Sequence, residues 1–447
     1  MSPGRALILV ENLSVPFDRR VWQECCALRE AGYEVSVICP QGSKQDREAH
    51  SVIEGVDIHR YPLDAATGGW PGYVREYGAA VWRSWRLARR LGRFDVVHIC
   101  NPPDLLFVVA LPLKLRGARI IFDQHDLVPE LYLSRFERGK DLLYHGVVAL
   151  ERLTYRLADV VIATNESYRR AALDRGRKAP GRVFVVRSAP DLSRFSGGMA
   201  DPVLKKGKEH LLCYLGVMGP QDGVDYALRS LAALRQTRAA DDWHAAFVGS
   251  GDCFEEMCAL SRQLGLEDHV TFTGRIPDEE LLAYLTTADV AMSPDPHNPL
   301  NDVSTMNKIL EYMAVGLPIV SFDLREARVS AGDAARYASC NDIHEFAAAV
   351  SGLLDDPAER RRRGQVGQHR VANSLSWEHS KVQLIASYAT AMGVSPEPFS
   401  QNVAEFTPRA VNGWSGQRHP ASGERDAGDV GDVGVAVSAA LDVAAGK

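Results

Sequence analysis

The segment between positions 302 and 318 could carry chemistry, because three of its polar residues fall close together on a predicted helix over 305–315. These are Asn307, Lys308 and Glu311. A lysine can supply a compact positive charge for a phosphate group, and a carboxylate three residues later can accept hydrogen bonds from ribose hydroxyls. The same Lys-x-x-Glu spacing is also typical of a solvated helix pair. The apolar residues on the rest of this helix favour a site for phosphate and ribose.

Turns that contain glycine lie beside the predicted strands of the second half of the chain. Such turns let a backbone approach a ligand closely, and the helix N-termini beyond them favour a diphosphate. The residues of these turns that we expect to contact a ligand are Gly219, Gly249, Gly274, Arg275 and Ile276. None completes a Gly-x-Gly-x-x-Gly pattern, so each glycine could equally close a helix or a turn. Ser304 is a further residue that we expect to contact this ligand, and Ser304 or Thr305 is expected to cap the helix that carries Lys308.

A second group of polar residues follows a predicted buried strand of the first half, at 119–123. It contains Asp123, His125, Asp126 and Glu130. A histidine at the carboxyl end of a strand is well placed to contact a ligand at the edge of the sheet, although it could instead cap the following helix. The loop after the first strand also lies at the carboxyl end of a strand. Its candidates for binding an acceptor or a phosphate are Asn12, Phe17 and Arg19.

Short apolar runs alternate with helical patterns along most of the chain, which predicts parallel strands connected by helices. The strands are expected at 6–10, 34–39, 56–61, 95–99, 119–123, 159–163 and 182–186, and then at 210–215, 244–248, 270–273, 289–292 and 318–321. Two doubly wound, Rossmann-like α/β domains that face each other across a cleft are therefore predicted.

The composition of the connecting segments predicts the domain boundaries. The first domain is expected to span 1–190, followed by a linker at 191–209 and a second domain at 210–376. A last helix at 377–392 has no strand after it and is expected to cross back onto the first domain. Pro, Gly, Ala, Ser and Asp dominate 393–447, which indicates a disordered tail.

The overall composition excludes several classes of protein. The 447 residues, 46% hydrophobic and 24% charged, rule out a single small domain, a collagen, a wholly disordered chain and a polytopic membrane protein. With 51 Lys and Arg against 57 Asp and Glu, the chain lacks the positive surplus of nucleic-acid-binding proteins. The charge is uneven, however, at +6 for residues 1–200 and −12 for the remainder. The first half is therefore expected to meet an anionic surface or substrate.

A basic helix is the candidate for that surface. Its arginines, predicted to share one face of a helix over 72–93 near Trp82, are Arg83, Arg86, Arg90 and Arg93. Basic and aromatic helices suit an anionic membrane surface, and the pattern is equally consistent with an ordinary helix packed on the sheet. The eight cysteines are scattered without metal-ligand spacing, and no apolar run is long enough to span a bilayer. We therefore predict no metal site and a cytoplasmic protein, peripheral at the inner face of the membrane.

Four segments together resemble the nucleotide-sugar glycosyltransferases of family 4, which have the GT-B fold. They are His125-Asp-Leu-x-Pro-Glu130, the turn at 216–223, Thr273-Gly274, and Lys308-x-x-Glu311-Tyr-Met-Ala-x-Gly-x-Pro318. The opening, at 16–24 and 31–40, is similar to a bacterial subgroup involved in surface-polysaccharide assembly. The resemblance covers about residues 5–392.

The resemblance implies a retaining, metal-independent and cofactor-free transfer of a sugar from a nucleoside diphosphate to an acceptor held mainly by the first domain. It implies that Glu311 holds the ribose, Lys308 the diphosphate and the turn 274–276 the base. His125 would contact a sugar hydroxyl, and the leaving diphosphate would take the proton of the acceptor. A hexose or an N-acetylhexosamine is the implied sugar, and a lipid-linked or polysaccharide acceptor of surface polysaccharide or glycolipid synthesis is the implied second substrate.

The sequence departs from the family pattern in two places. Many members have a glutamate eight residues before the one that holds the ribose, where this chain has Val303, with Asp302 beside it and Asp295 further away. Asp302 is our candidate for the missing acid. The turn at 216–223 also lacks the Arg and Lys that members commonly carry. A nucleotide-sugar epimerase and a catalytically inactive, nucleotide-sugar-binding partner subunit therefore stay as alternatives.

Overall fold

The structure is a computed structural model that describes residues 4–42, 46–63, 70–136, 139–190, 192, 195 and 198–394. It contains two α/β units, each built on a mostly parallel sheet with helices on both faces, as the alternating pattern predicts. The predicted tail lies outside the described residues from 395 onward, as does part of the predicted linker. Among the helices that the structure describes, none has both the length and the apolarity needed to cross a bilayer.

The first domain is built on an eight-stranded sheet in the order β3-β4-β2-β1-β5-β6-β7-β8. All neighbours are parallel except the edge pair β3 and β4. The strands are β1 (Arg5–Leu9), β2 (Glu34–Pro40), β3 (His50–Ile53), β4 (Val56–Tyr61), β5 (Val96–Cys100), β6 (Arg119–Gln124), β7 (Val160–Ala163) and β8 (Val183–Val185). The helices are α1 (Arg19–Glu30), α2 (Trp70–Leu91), α3 (Phe107–Lys114), α4 (Val128–Phe136), α5 (Leu142–Leu157) and α6 (Glu166–Asp174).

Local sequence signals explain how α1 connects the first two strands. Asp18 caps its N-terminus by accepting a hydrogen bond from the Val21 amide at 3.1 Å. The helix ends before Gly32, whose φ of +90° disfavours a residue with a side chain. Its apolar stripe, which includes Val21 and Leu28, is fully buried against the sheet.

The second domain is built on a six-stranded parallel sheet in the order β11-β10-β9-β12-β13-β14. Its strands are β9 (His210–Leu215), β10 (Trp243–Val248), β11 (Val270–Gly274), β12 (Val290–Ser293), β13 (Ile319–Phe322) and β14 (Ala335–Ala338). Its helices are α7 (Val224–Thr237), α8 (Phe254–Gln263), α9 (Asp278–Thr287), α10 (Asn307–Val315), α11 (Arg325–Ala331), α12 (Ile343–Asp355) and α13 (Pro357–Arg370). The strand order reverses between β9 and β12, where doubly wound sheets bind their ligands.

The last helix, α14 (Trp377–Met392), packs on the first domain. It lies against α1 and strands β6 to β8, and its Leu384 and Tyr388 are fully buried in that domain's core. Burying two such side chains contributes roughly 1.5–3 kcal/mol each. The chain therefore passes from the first domain to the second and returns to the first.

The structure differs from the sequence-based predictions in two strands and in one helix cap. Strands β3 and β14 were not predicted, because the first is a half-exposed edge strand and the second contains two alanines, which have a low preference for strands. Helix α10 begins at Asn307, and the residue before it, Met306, makes no side-chain cap, so neither Ser304 nor Thr305 caps it. Both side chains instead contact the first domain.

The predicted arginine face of α2 also needs correction. Arg83 donates a hydrogen bond to the Pro62 carbonyl and is therefore used inside the domain. Arg93 lies beyond the end of the helix. The exposed face of the helix carries Arg86, Arg89 and Arg90, because residues three and four apart share one side of a helix.

Candidate functional site

The carboxyl ends of the two sheets face each other. Asn165, which follows β7, donates from its amide to the Val303 carbonyl at 2.9 Å and to the Thr305 hydroxyl at 3.1 Å. Tyr168 and Ser304 place their hydroxyl oxygens 3.0 Å apart. All three contacts join the start of α6 to the segment that leads into α10.

A second set of contacts lies at the other side of the cleft. The Arg275 guanidinium, after β11, lies 5.1 Å from the centre of the Phe17 ring, and Arg19 is 3.4 Å from Asp278. The strands whose ends lie between the two sets of contacts are β5 and β6 in the first sheet and β9 and β10 in the second. Loops after these strands therefore line the cleft.

The loop after β9 lies so close to the loops after β10 and β12 that two glycines are required there. A Cβ atom at Gly249 would lie 1.9 Å from the Gly216 carbonyl oxygen, and one at Gly223 would lie 2.1 Å from the Pro294 carbonyl oxygen. The Gly219 amide donates to Asp222 at 2.9 Å, which closes the turn between them. A Cβ atom at Gly274 would have no described atom within 4 Å, so the φ of +67°, and not close packing, requires glycine there.

Lys308 lies on the first turn of α10, beneath these turns. Its ammonium donates to Asp295 at 2.7 Å and lies 4.8 Å from the centre of the Tyr214 ring. Asp295, which follows β12, also accepts a hydrogen bond from the Ser293 hydroxyl at 2.6 Å. Burial alone would lower the pKa of Lys308, but the charge of Asp295 outweighs it and raises this pKa. The lysine is therefore a permanent cation at the switch point of the sheet.

The other residues predicted on α10 lie around this lysine. Asn307 is the exposed first residue of the helix, and Glu311 is half-buried on the next turn. Ile276 packs against the apolar core of the second domain, beside the turn at Gly274. These residues share the carboxyl edge of the second sheet with Lys308.

Asp302 is used differently from what the sequence predicts for it. One of its carboxylate oxygens accepts from the Arg325 amide at 3.0 Å, and the other is 3.1 Å from the Arg325 guanidinium. It therefore fixes the start of α11. The carboxylate that the structure places next to Lys308 is Asp295.

His125 lies at the carboxyl end of β6, on the side of the cleft opposite the glycine turns. Its Nε2 is 2.5 Å from Asp123, and its backbone amide donates to the Asn101 side chain at 2.7 Å. Asn101 also accepts from the Asp126 amide, so it holds the backbone of this loop at two points. The imidazole of His125 is therefore engaged by the carboxylate of Asp123.

A buried network of charged groups surrounds Asp123. Arg20 binds both of its carboxylate oxygens, at 2.8 and 3.1 Å, and also lies 3.2 Å from Glu24. His98 lies 3.5 Å from Asp123 and 3.0 Å from the Tyr388 hydroxyl of α14. The last helix of the chain is thus connected to the site of His125.

The two carboxyl groups of this network, Glu24 and Asp123, differ in how readily they ionise. Burial, and then the charge of Asp123, raises the pKa of Glu24 to about 7. Burial would also raise the pKa of Asp123, but Arg20 and His125 hold it well below its usual range. In turn, Asp123 overcomes the effect of burial on His125 and raises its pKa. Asp123 is therefore the carboxylate that stays ionised, and His125 holds its proton more tightly than a free histidine.

The remaining predicted residues have mixed positions. Asn12 is half-buried in the loop after β1, whereas Phe17 and Arg19 make the contacts to the second domain described above. Glu130 does not face the cleft, because Arg175 binds both of its carboxylate oxygens, at 2.6 and 3.0 Å. The Glu of the predicted His-Asp-Leu-x-Pro-Glu motif therefore holds α4 to α6.

The sequence does not single out several residues of this site, although it shows Asp295 as an acid further from Glu311 than Asp302. Asp295 and Asn165 each follow a strand, which is the same signal that identifies His125. Arg20, Glu24 and His98 carry no such signal, because they lie inside elements and meet only in the folded domain.

Comparisons with known proteins agree with this arrangement. A family model described as "Glycosyl transferase 4-like domain" matches residues 18–188, and one described as "Glycosyl transferases group 1" matches residues 209–356. The GDP-mannose-dependent alpha-(1-6)-phosphatidylinositol monomannoside mannosyltransferase of Mycolicibacterium smegmatis is 31% identical, over 65% of this chain and 76% of its own. The MMP alpha-(1->4)-mannosyltransferase of Mycolicibacterium hassiacum is 27% identical, over 68% of this chain and 73% of its own.

Solved structures show the same architecture. Sucrose-phosphate synthase from Thermosynechococcus elongatus superposes with a TM-score of 0.67 at 19% identity, covering 90% of this chain and 99% of its own. The matches to both halves and to the mycobacterial transferase lead to one conclusion. This chain is a glycosyltransferase of group 1, with the GT-B fold.

Proposed function

We propose that this enzyme transfers a hexose or an N-acetylhexosamine from a nucleoside diphosphate to a hydroxyl group of a lipid-linked or saccharide acceptor, with retention of configuration at C1. The observation that carries the proposal is the Lys308–Asp295 pair at the switch point of the second sheet, beneath the glycine turns. It supplies a fixed cation where a doubly wound sheet binds a diphosphate.

The reaction breaks the bond from sugar C1 to the diphosphate oxygen and forms a bond from C1 to the acceptor oxygen. The proton of the acceptor hydroxyl passes to the departing diphosphate. Lys308 would bind the negative charge that develops on this leaving group, with backbone amides of the turns after β9 and β10. Asp295 is a positioning residue for Lys308. We assign no contact with the sugar to Asp302, because Arg325 engages both of its carboxylate oxygens.

The other contacts follow the positions of the side chains. Glu311 would accept from the ribose hydroxyls, the turn at Gly274 would hold the base, and His125 would donate to a sugar hydroxyl from the opposite edge of the cleft. Asn12 is our candidate for the acceptor. Phe17 and Arg19 would close the side of the cleft instead of binding the acceptor, because both contact the second domain.

The acceptor class is supported by the relatives. The M. smegmatis enzyme is named for a phosphatidylinositol monomannoside, which is a glycolipid. We therefore propose a lipid-linked acceptor of cell-surface glycolipid or polysaccharide synthesis. No metal ion or cofactor is part of the proposed reaction.

A location at the inner face of the membrane completes the proposal. Arg86, Arg89 and Arg90 form the exposed face of α2, and α3 packs beside it. Val108 and Leu111 on one side of α3 are 45% and 37% exposed, and Leu115, directly after its end, is 81% exposed. Exposed apolar residues beside a row of arginines fit a surface of anionic lipid. The described cysteines are all free, which fits the reducing cytoplasm.

The test measures donor binding and sugar transfer together. Thermal unfolding is followed with a panel of nucleoside diphosphates and their sugars, because a ligand of the native state raises the melting temperature. Transfer is then measured with the donor that binds, with and without a lipid extract as the acceptor. We expect Glu311→Gln and Lys308→Met to abolish the shift and to lower turnover by about 100-fold or more.

Lys205→Met is the matched control, because Lys205 also pairs with an aspartate beside β12, at 2.8 Å from Asp289, but at the opposite end of that strand. It should keep both the shift and the turnover. Full turnover in folded Lys308→Met and Glu311→Gln would disprove the assignment of the site. A product formed from the donor alone, without an acceptor, would point to an epimerase, and tight binding without any turnover would point to an inactive subunit.

A further inference from the structure

Two histidines and an aspartate meet on the edge hairpin of the first sheet, far from the cleft. His50 on β3 is directly opposite His59 on β4, and their rings stack with centres 4.7 Å apart. Asp57 lies between them, with one carboxylate oxygen 2.6 Å from His50 Nε2 and the other 2.9 Å from His59 Nε2. The three side chains present their ligand atoms within 4.8 Å of one another.

The hairpin itself fixes this arrangement. Residues Glu54 and Gly55 connect β3 to β4 and have φ values of +47° and +75°, as the tight two-residue turns of β-hairpins require. The register that follows places His50 opposite His59, and Asp57 shares a face with His59 because side chains two apart on a strand point the same way. No rearrangement of the backbone is needed to keep the three groups together.

We propose that His50, Asp57 and His59 form a binding site for a divalent transition metal, with Zn²⁺ as the first candidate. Two imidazole nitrogens and one carboxylate oxygen are a typical donor set for Zn²⁺, and water would complete the coordination. On binding, the Nε2 atoms would give up the hydrogen bonds that they now make to Asp57, and each ring would carry its proton on Nδ1. The site is partly exposed, so an ion can reach it from solvent.

The two other groupings of this kind among the described residues are less suitable. His98, Cys100 and Asp123 are completely buried, and Arg20 already neutralises Asp123. Around His210, the distances to Glu209 and Asp242 are 3.8 and 3.9 Å. The hairpin is the group that combines short distances, access and donor chemistry.

A metal ion at this place would stabilise the sheet and take no part in the transfer reaction. Strand β3 is five strands away from β6, which carries the site of His125, and neighbouring strands lie about 4.8 Å apart, so the separation is about 24 Å. The ion would cross-link the antiparallel edge strand to the rest of the sheet. The proposal is therefore independent of the proposed function.

The experiment is a titration of the full chain, first stripped with EDTA, with Zn²⁺ by calorimetry. We expect wild type to bind one Zn²⁺. The variants His50→Gln and Asp57→Asn should each bind Zn²⁺ at least about tenfold more weakly than wild type. His369→Gln, which removes an exposed histidine of the second domain, should bind like wild type. Zn²⁺ should also raise the melting temperature of wild type and not that of the His50→Gln/His59→Gln double variant.

Co²⁺ in place of Zn²⁺ separates this site from binding by the free cysteines. The expected spectrum has weak d–d bands without the strong absorption of a thiolate ligand. Equal Zn²⁺ affinity in wild type and the double variant, the absence of Zn²⁺ binding by the stripped protein, or a thiolate band would each overturn the proposal.

Discussion

Asp123 is the residue on which the first half of the site depends, because two cations share its carboxylate. Arg20 binds it from α1, and His125 binds it from the loop that reaches the cleft. Asp123 is fully buried, so its charge acts on both partners through a medium of low dielectric constant. We interpret it as a positioning residue that orients His125 toward a sugar hydroxyl and favours the protonated imidazole by raising its pKa.

This role predicts a change in the pH dependence of the reaction. Activity that needs protonated His125 is lost as the pH rises through the pKa of His125, which Asp123 raises. In Asp123→Asn the pKa falls, so the loss should begin at a lower pH, and turnover near neutral pH should drop by about tenfold or more. The measurement is turnover against pH at a saturating concentration of donor.

Two further results decide whether Asp123 acts through His125. In His125→Gln this pH-dependent step should disappear, whereas a variant that merely destabilises the fold would keep it. Asp123→Asn is expected to stay folded, because Glu24, released from the repulsion of Asp123, can ionise and pair with Arg20. A step that keeps its wild-type pH in Asp123→Asn would contradict the assigned role.

Position at the end of a strand was enough to identify His125 as a candidate from the sequence, and spacing from Glu311 on a helix was enough to identify Lys308. Asp295 was considered only as a distant alternative, because counting along the chain cannot show that it reaches Lys308 at 2.7 Å. Asp302 is the converse case, because it lies beside the expected position in the chain but its carboxylate contacts Arg325. Distances along a loop do not determine which carboxylate turns toward a cation.

At the scale of elements, helical periodicity predicted α2 but not which of its arginines are exposed. Arg83 lies about a quarter turn from Trp82, on the side where it reaches the Pro62 carbonyl. Arg89, which was not among the predicted residues, takes its place on the exposed face. Periodicity defines the angle between side chains, whereas the partner that each one finds depends on the neighbouring loop.

The exposed face of α2 predicts binding to anionic membranes. Reversing the charge of Arg86 and Arg90 to glutamate should weaken binding to vesicles that contain phosphatidylserine by at least about 30-fold, because the loss of each basic residue near such a surface removes about 1 kcal/mol and the new carboxylates are repelled. Flotation of the vesicles measures the bound fraction. Binding of wild type should fall as the salt concentration rises.

Arg229→Glu/Arg361→Glu is the matched control, because it makes the same change in net charge on exposed helices of the second domain. It should bind the vesicles almost as wild type does. If both double variants lose binding equally, the effect comes from net charge alone, and the assignment of the surface to α2 and α3 is wrong.

At the scale of the whole molecule, alternation of strands and helices was sufficient to predict two doubly wound sheets. It could not predict the contacts between them, because these join side chains that are more than a hundred residues apart, such as Asn165 and Thr305. Nor does periodicity show that α14 carries Tyr388 into the network around Asp123. The contacts that form the cleft therefore cannot be predicted from local sequence patterns.

Asn165 offers a way to loosen the two domains without unfolding either. Its side-chain oxygen caps α6 by accepting from the Tyr168 amide at 2.8 Å, while its nitrogen donates to Val303 and Thr305 across the cleft. Asn165→Asp keeps a good cap. It replaces the donor with a carboxylate oxygen that faces the Val303 carbonyl, so the contact between the domains becomes repulsive.

We expect this variant to unfold at nearly the same temperature as wild type but to be more open, with a larger radius of gyration by small-angle X-ray scattering. Losing two buried hydrogen bonds costs about 1–3 kcal/mol, so the KM for the donor should rise by roughly 5- to 150-fold. Asn165→Ala tests the cap separately, because it removes both functions and should lower the melting temperature as well. An Asn165→Asp variant with a wild-type radius of gyration and donor KM would mean that other contacts between the domains, such as Ser134 with Asn298 and Ser167 with Glu326, hold them together without it.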